Sequence, residues 1–383
     1  MTHNSEAATV ATEAGSTVPG GGTAAATSVC ANCGAGILPD QSFCEACGFE
    51  LVPTAPPAPA TVEELASPIT LSRSIQADLP DDVEDTLEMR RPCQSCGGTV
   101  GADGYCETCG TKATSERDHY TEHPASWAAA CCDRGIRHHR NEDATAIAAE
   151  PTPGSRAVLV VCDGVSTSQD SDVAALAGAR AARDVLVAQK PAGLGLPASR
   201  AAALAGALES ATARANAAVI ENTAADSDNA ASCTFAAAVI EGDLVVFGNV
   251  GDSRVYWIPD AGQAEAPQEL SRDDSVAQFR IAAGVSREQA ENGPQAHAIT
   301  KWLGRDSPDF KPRTGSITVT SGGWLMVCSD GLWNYVSAAE DMQTLVSDLS
   351  RAASEPLALA ESLVRWANEQ GGKDNISVAL ARH

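Results

Sequence analysis

The sequence predicts a mixed α/β domain built on antiparallel sheets, preceded by two small cysteine-rich units. Three observations carry that prediction. Short apolar runs end abruptly in acidic turns, as where Ala157-Val-Leu-Val-Val-Cys162 meets Asp163-Gly164. Alanine-rich stretches, 172–189 and 199–223, place Leu, Val and Ala at helical spacing. Eight of the 13 cysteines fall in four Cys-x-x-Cys pairs within the first third of the chain.

Residues 1–28 are mostly Ala, Thr, Gly and Ser with little to bury, and a disordered tail is expected there. Cys30-Ala-Asn-Cys33 and Cys44-Glu-Ala-Cys47, each followed by Gly, define a unit over 29–52. Cys93-Gln-Ser-Cys96 and Cys106-Glu-Thr-Cys109 repeat it over 90–112. A Cys-x-x-Cys-Gly turn points two thiolates at one centre, so two such turns complete a tetrahedral zinc site. The units resemble zinc ribbons in tandem, which implies two structural Zn²⁺. A ribbon this short cannot fold on an apolar core, so zinc binding supplies its folding free energy. Disulfides are the competing reading, and a reducing compartment disfavours them.

Residues 53–89 open with Pro53, Pro56, Pro57 and Pro59 and close on acids from Asp78 to Glu88. The stretch reads as a semi-extended, then self-repelling linker. Its acidic run is a candidate docking segment for a basic surface, with Thr86 a candidate phosphoacceptor. Residues 113–125 read as a second linker, and 126–383 as one large domain.

Within that domain several strand-like runs meet carboxylates. Residues 244–250 lead into Gly251-Asp252-Ser253-Arg254, residues 324–328 into Ser329-Asp330-Gly331, and Asp374-Asn375 precedes 376–380. A Glu241-Gly242-Asp243 turn joins two of the runs as a hairpin, which is why the sheet is expected to be antiparallel. If the tips converge, crowded carboxylates raise one another's pKa and must be protonated or neutralised by cations. An all-oxygen set of this kind favours Mg²⁺ or Mn²⁺.

Arg140-Asn-Glu-Asp-Ala144, Cys162-Asp-Gly164, Gly251-Asp-Ser-Arg254, Ser329-Asp-Gly-Leu-Trp333 and Asp374-Asn-Ile-Ser-Val378 resemble, in order, the signature motifs of the metal-dependent protein phosphatases of the 2C type. That resemblance implies a four-layer αββα sandwich and hydrolysis of phosphoserine and phosphothreonine by a water activated at a binuclear Mn²⁺ or Mg²⁺ centre. It implies that Asp163 bridges two metals, that the Gly164 carbonyl adds an oxygen, and that Asp330 and Asp374 bind the first metal. Glu142 and Asp143 would hold the second, directly or through water, and Asp252 would join Asp330 at a third, weaker site. Asn375 would orient Asp374 or its waters. The family usually carries a phosphate-binding Arg five residues before the Asp of the first motif, where this chain has His138. Arg137 is therefore the favoured phosphate ligand and Arg140 the alternative, with His138 and His139 candidates for protonating the leaving group. The family's Gly pair after Asp163-Gly164 is replaced here by Val165-Ser166. Residues 273–300 fall where family members carry a mobile flap, and substrate selection is expected there.

The formal charge of −24 argues against binding a phosphate backbone, which needs concentrated Lys and Arg. Acidic residues outnumber basic ones 17 to 5 in residues 1–118 and 33 to 21 in the remainder. No membrane span or secretory leader is legible, so a cytoplasmic protein is expected. Cys131, Cys132, Cys162, Cys233 and Cys328 sit in or beside apolar runs and read as core side chains. Low Lys and high Ala are compatible with a GC-rich bacterium. The implied partners are phosphorylated proteins, substrates of a Ser/Thr kinase, and a protein bound by the ribbons. The rival readings are a non-catalytic scaffold on the phosphatase fold and a zinc-ribbon protein acting in transcription.

Overall fold

In chain order the elements are β1 (Ser28–Val29), β2 (Gly36–Ile37), a short 3₁₀ turn (Glu116–Asp118), β3 (His119–Ala125), β4 (Ala128–Asp133), β5 (Ala144–Ala149), β6 (Ala157–Cys162), α1 (Ser171–Ala188), α2 (Pro197–Glu221), β7 (Ser232–Cys233), β8 (Phe235–Glu241), β9 (Leu244–Val250), β10 (Arg254–Pro259), β11 (Gln268–Glu269), α3 (Val276–Ala282), α4 (Arg287–Glu291), β12 (Leu303–Gly304), β13 (Arg313–Thr318), β14 (Gly323–Cys328), α5 (Asp330–Trp333), α6 (Ala339–Ser350), α7 (Pro356–Glu369) and β15 (Ile376–Arg382). The structure, a computed structural model, describes residues 28–29, 36–37, 96–101, 105–111, 113, 115–190, 196–224 and 226–383. The chain divides into two units, 1–85 and 86–383. In the first, β1 and β2 pair antiparallel. Residues 1–27 of the expected tail, the 53–89 linker with Thr86, and Cys30, Cys33, Cys44, Cys47 and Cys93 lie outside the described residues, while Ser28, given to the tail, begins β1.

In the second unit, period-two burial explains the architecture. Along β6, Ala157, Leu159 and Val161 face one way, and Val158, Val160 and Cys162 the other. Both sets are buried because β6 sits inside a five-stranded sheet, ordered β13-β9-β8-β6-β5, that is covered on both faces. One face packs on α1 and α2 through Ala174, Ala179, Ala182, Leu204, Leu208 and Val219. The other meets a six-stranded sheet, ordered β11-β10-β14-β15-β4-β3, across Trp257, Leu325, Val327, Ala379 and Phe247. The outer face of that second sheet is closed by α6 and α7 through Met342, Val346, Leu359 and Leu363. The result is the expected αββα order of layers with antiparallel pairing in both sheets. Truncating Trp257, fully buried between the sheets, to Ala would cost about 3–5 kcal/mol.

Small residues suit this packing. A Cβ at Gly178 of α1 would come within 3.1 Å of Val219 Cγ2 on α2, so the two helices lie close where the sequence is richest in Ala. Residues 113–125 correct the expected linker: from His119 they form β3, an edge strand paired with β4. The strand escaped notice because its exposed edge carries His, Glu and Pro, which are edge-strand residues as much as linker residues. Residues 273–300, read as a polar loop, contain α3 and α4. Among the described residues, no helix is long and apolar enough to cross a membrane.

Candidate functional site

Antiparallel register carries the acidic residues to one edge of the sandwich. Ala144 pairs with Cys162, so Asp143 just before β5 and Asp163 just after β6 lie side by side. Cys328 of β14 pairs with Val378 of β15, and Ile376 with Asp133 of β4, which puts Asp330 and Asp374 at the matching end of the other sheet. Phe235 pairs with Val250, adding Asp252 in the turn between β9 and β10. The charges of Asp143, Asp330, Asp374 and Asp252 all act on Asp163. Asp143 and Asp252 are buried, whereas Asp163, Asp330 and Asp374 are partly accessible, so the cleft opens to solvent on one side.

The backbone that presents these carboxylates is fixed from behind. Thr234 Oγ1 accepts from the Asp163 amide at 3.0 Å, and the Thr234 amide donates to the Asp163 carbonyl at 2.7 Å. A Cβ at Gly164 would stand 2.7 Å from the Glu142 carbonyl, and one at Gly331 would collide with the Asn375 carbonyl. Both motif glycines are thus required by close backbone approach. Asn375 Nδ2 donates to the carbonyls of Arg134 (2.7 Å) and Arg140 (3.1 Å), while its Oδ1 accepts from the Glu142 amide at 2.8 Å. The Asn375 side chain therefore holds the β4–β5 loop in place, and it is the backbone N–H of Asn375 that reaches Asp374 Oδ1, at 2.8 Å. Arg117, from the stretch expected to be a linker, donates from Nη2 to the Asp143 carbonyl at 2.7 Å.

The electrostatics of the cleft are unsatisfied. Both carboxylate oxygens of Asp143 and Oδ1 of Asp330 are buried without a hydrogen-bond partner. The Ser329 and Ser377 hydroxyls lie close enough to lower the Asp143 carboxyl, but not enough to offset its burial. Burial is the largest cause of the upward shift in each aspartate. Aided by mutual repulsion, it drives Asp163 and Asp330 well above the ordinary carboxylate range. It takes Asp252 to about 7, with Asp273 adding to the repulsion, and Asp143 to about 6. Asp374 is also raised, less so because His138 lies beside it. Orphaned carboxylate oxygens in such a group call for cations, and an all-oxygen donor set is the kind that hard divalent ions take. The residues present therefore fit Mn²⁺ or Mg²⁺.

The first-motif loop supplies the rim. Glu142 is buried, which would raise its carboxyl, yet contacts with His138, Ser171 and Arg140 bring it down to about 2. Arg140 donates to Glu142 Oε1 from Nη2 (2.7 Å) and Nε (3.1 Å), and its Nη2 also reaches Ser171 Oγ at 3.1 Å. Arg140 is thus committed to orienting Glu142. His138 lies between Asp374 (Nε2 to Oδ1, 3.2 Å) and Glu142 (Nδ1 to Oε2, 3.8 Å), and the Glu142 contact is the chief reason its pKa is raised. His138 and His139 lie on the β4–β5 loop beyond the end of β4. Arg137 is exposed, and its side chain has no hydrogen bond or ion pair among the described residues.

Two groups in the quoted motifs do more than the sequence suggested. Arg254 is 2% exposed and stacks 3.6 Å above the Trp333 ring, and the Trp333 indole donates to the Asp252 carbonyl at 2.9 Å. The motif spelled out Arg254 and Trp333, but nothing local indicated that they meet.

The second cysteine unit is partly described. Cys96, Cys106 and Cys109 bring their sulfurs within 4.8 Å of one another. The Gly110 amide donates to the Cys106 carbonyl at 2.8 Å, closing the turn, and Gly97 and Gly110 both take left-handed backbone (φ +74° and +70°). The Thr111 hydroxyl is the main cause bringing the Cys109 thiol down to about 6. Three converging sulfurs, with the Cys106 and Cys109 thiols lowered, suit a tetrahedral thiolate site.

Comparison with known proteins gives a consistent family. The family model described as "Protein phosphatase 2C" matches residues 134–368. A serine/threonine phosphatase stp of Listeria innocua is 29% identical over 250 residues, covering 65% of this chain and 92% of that protein. Protein phosphatase PhpP of Streptococcus pneumoniae is 36% identical over 137 residues, 35% of this chain and 51% of that protein. The chain thus spans about half the length of the PhpP relatives it matches. Among solved structures, the Mycobacterium tuberculosis serine/threonine phosphatase PstP/Ppp is 26% identical with a TM-score of 0.53, covering 67% of this chain and 97% of that one. Staphylococcus aureus Stp1 is 23% identical with a TM-score of 0.55, covering 67% and 94%, a likeness of fold.

Proposed function

The chain belongs to the protein phosphatase 2C family, and from that premise we propose that it is a protein serine/threonine phosphatase acting on phosphoserine and phosphothreonine. The observation that carries the proposal is the group of five aspartates at one cleft with buried, unpartnered oxygens on Asp143 and Asp330. By the family motifs, Asp163 would be shared by two cations with the Gly164 carbonyl adding an oxygen, Asp330 and Asp374 would hold the first, Glu142 and Asp143 the second directly or through water, and Asp252 with Asp330 a weaker third. When bound, two such cations lower the pKa of a water and neutralise charge developing in an in-line displacement at phosphorus.

The chain's own residues do the remainder. Arg137, exposed and uncommitted, would take the phosphate oxygens through its guanidinium fork. Arg140 and Ser171 both donate to Glu142 Oε1, and Asn375 fixes the loop that carries Arg140 and Glu142. His138 would protonate the leaving serine or threonine oxygen, since the neighbouring carboxylates keep its proton near neutral pH.

The two cysteine units would each hold a structural Zn²⁺, through Cys30, Cys33, Cys44 and Cys47 in one and Cys93, Cys96, Cys106 and Cys109 in the other, and serve to target or regulate the enzyme by binding a protein. The boundaries proposed are 1–28, 29–52, 53–89 and 90–112 as tail, ribbon, linker and ribbon, with the phosphatase domain beginning by His119. The substrates would be phosphorylated proteins of a cytoplasmic Ser/Thr kinase pathway.

The test is hydrolysis of a phosphothreonine peptide by the full-length protein with Mn²⁺, with chelator, and with Asp330→Asn. Metal-dependent release of phosphate, lost in the variant, is the expected result. Activity that survives chelation or the substitution refutes the reading.

A further inference from the structure

The segment between β11 and β12 is fastened to the catalytic sheet by an ionic knot that the phosphatase motifs do not explain. At its base, the Asp274 amide donates to the Gly251 carbonyl at 2.8 Å, the Thr300 amide donates to the Asp274 carbonyl at 2.7 Å, and Ser275 bridges Ile299. Above the base, Arg254 of β10 clasps Asp273 with Nε (3.0 Å) and Nη2 (2.7 Å). The same Nη2 reaches Glu291 Oε1, the last residue of α4, at 3.0 Å. Glu291 also accepts from Arg287 Nη1 at 2.9 Å and, through Oε2, from Ser337 Oγ at 2.8 Å. Arg287 in turn pairs with Glu269 of β11 at 2.9 Å. One carboxylate on the flap thus gathers donors from the central sheet, from its own helix and from the loop after α5.

An apolar cluster of the same volume would be as stable as this knot, because removing so many charges from water offsets most of their attraction. What the knot adds is registration. The guanidinium that holds Glu291 sits over the ring of Trp333, whose helix begins at Asp330 and whose indole donates to the Asp252 carbonyl. The flap also brings His297 beside the Trp333 ring, 6.0 Å between centroids. We propose that Arg254 and Glu291 are positioning residues that register the 276–297 flap against the carboxylate cleft, so that the flap's exposed surface, which includes Phe279, meets the peptide around the phosphorylated residue.

The inference rests on the phosphatase reading, and its test separates the two. Glu291→Gln removes one charge from a half-buried site on the flap and leaves every proposed cation ligand in place. In the full-length protein, it should raise KM for a phosphothreonine peptide roughly tenfold, the effect of losing charge-assisted hydrogen bonds, with kcat within about twofold. Hydrolysis of p-nitrophenyl phosphate, which has no peptide to meet the flap, should be unchanged. Ser337→Ala, which loses one donor to the same carboxylate, should shift the peptide KM in the same direction by less. Hydrogen exchange provides a readout without turnover: amides of 276–297 should exchange at least several-fold faster in Glu291→Gln, while those of β6 and β14 stay at wild-type rates. Unchanged peptide KM, or an equal loss on both substrates, overturns the proposal, and so does unchanged flap exchange. Wild-type protein inactive on both substrates would overturn the phosphatase reading instead, and the exchange comparison would still decide whether the knot holds the flap.

Discussion

Replacing Asp143 with Asn should stabilise the cation-free protein, although most substitutions at fully buried positions destabilise. Asp143 is 0% exposed, both its oxygens lack partners, and burial pushes its carboxyl up to about 6. Moving a carboxyl from an ordinary value near 4 to about 6 means that its ionised form costs the folded state about 3 kcal/mol at pH 8. The amide of Asn carries no such charge and occupies the same volume. Such a gain corresponds to a rise in Tm of roughly 6–12 °C for a domain of this size. The assay is thermal unfolding of wild-type and Asp143→Asn protein under identical chelation, so that any effect on the cysteine units cancels. The sign of the pH dependence follows from the direction of the shift. Raised carboxyls, Asp143 at about 6 and Asp252 at about 7, contribute stability that is complete below the ordinary carboxylate value and lost as pH rises through 6 to 7. Chelated wild-type protein should therefore melt higher at pH 5 than at pH 8, and Asp143→Asn should show less of that slope. Saturating Mn²⁺ should reverse the ranking at pH 8, because a ligand that binds only the folded state stabilises it and the variant has lost a ligand. A variant less stable than wild type in chelator at pH 8 would refute the argument that Asp143 is a charge awaiting a cation.

Other consequences follow from single side chains. Arg137→Ala should raise KM for phosphopeptides with a smaller effect on kcat, whereas Arg140→Ala should weaken Mn²⁺ affinity because it frees Glu142; steady-state kinetics and metal titration separate the two. Asn375→Ala removes three hydrogen bonds from the β4–β5 loop and should cost about 1–3 kcal/mol in stability and roughly 10–100-fold in metal affinity, measurable by denaturant unfolding and calorimetry. Cys106→Ala should lower bound zinc from two ions to one per chain by elemental analysis and leave p-nitrophenyl phosphate turnover unaffected.

The parts of this protein that can be read from its sequence are those where a local signal and a tertiary role coincide. The run 157–162 appears as β6 with the bounds its composition suggests, because a strand buried on both faces has to be continuously apolar. Helices over 172–189 and 199–223 appear within two residues of expectation at either end, since alanine spacing follows the face that packs. Acids at strand tips converge because antiparallel register leaves them no other end. By contrast, β3 alternates in burial with a polar outer edge, and a strand with one neighbour has little to distinguish it from a linker. The Asn375 clamp and the Arg254 knot join residues hundreds and tens of positions apart, Asn375 with Arg134 and Glu142, Arg254 with Asp273 and Glu291. Polar pairings of that kind leave no periodicity, so only the fold reveals them. His138, standing where the family carries a phosphate-binding Arg, was visible as a departure; its bridging of Asp374 and Glu142 was not.

The aspartate cleft is built to hold paired divalent cations in the function proposed above. Equilibrium titration of the full-length, zinc-loaded protein with Mn²⁺ tests it most directly, with proton release followed alongside. At least two Mn²⁺ should bind per wild-type chain, with protons released near pH 6.5 as the raised carboxyls ionise, and no more than one Mn²⁺ in Asp163→Asn. A wild-type chain that takes up no Mn²⁺, or an Asp163→Asn chain that takes up the same number, would contradict it.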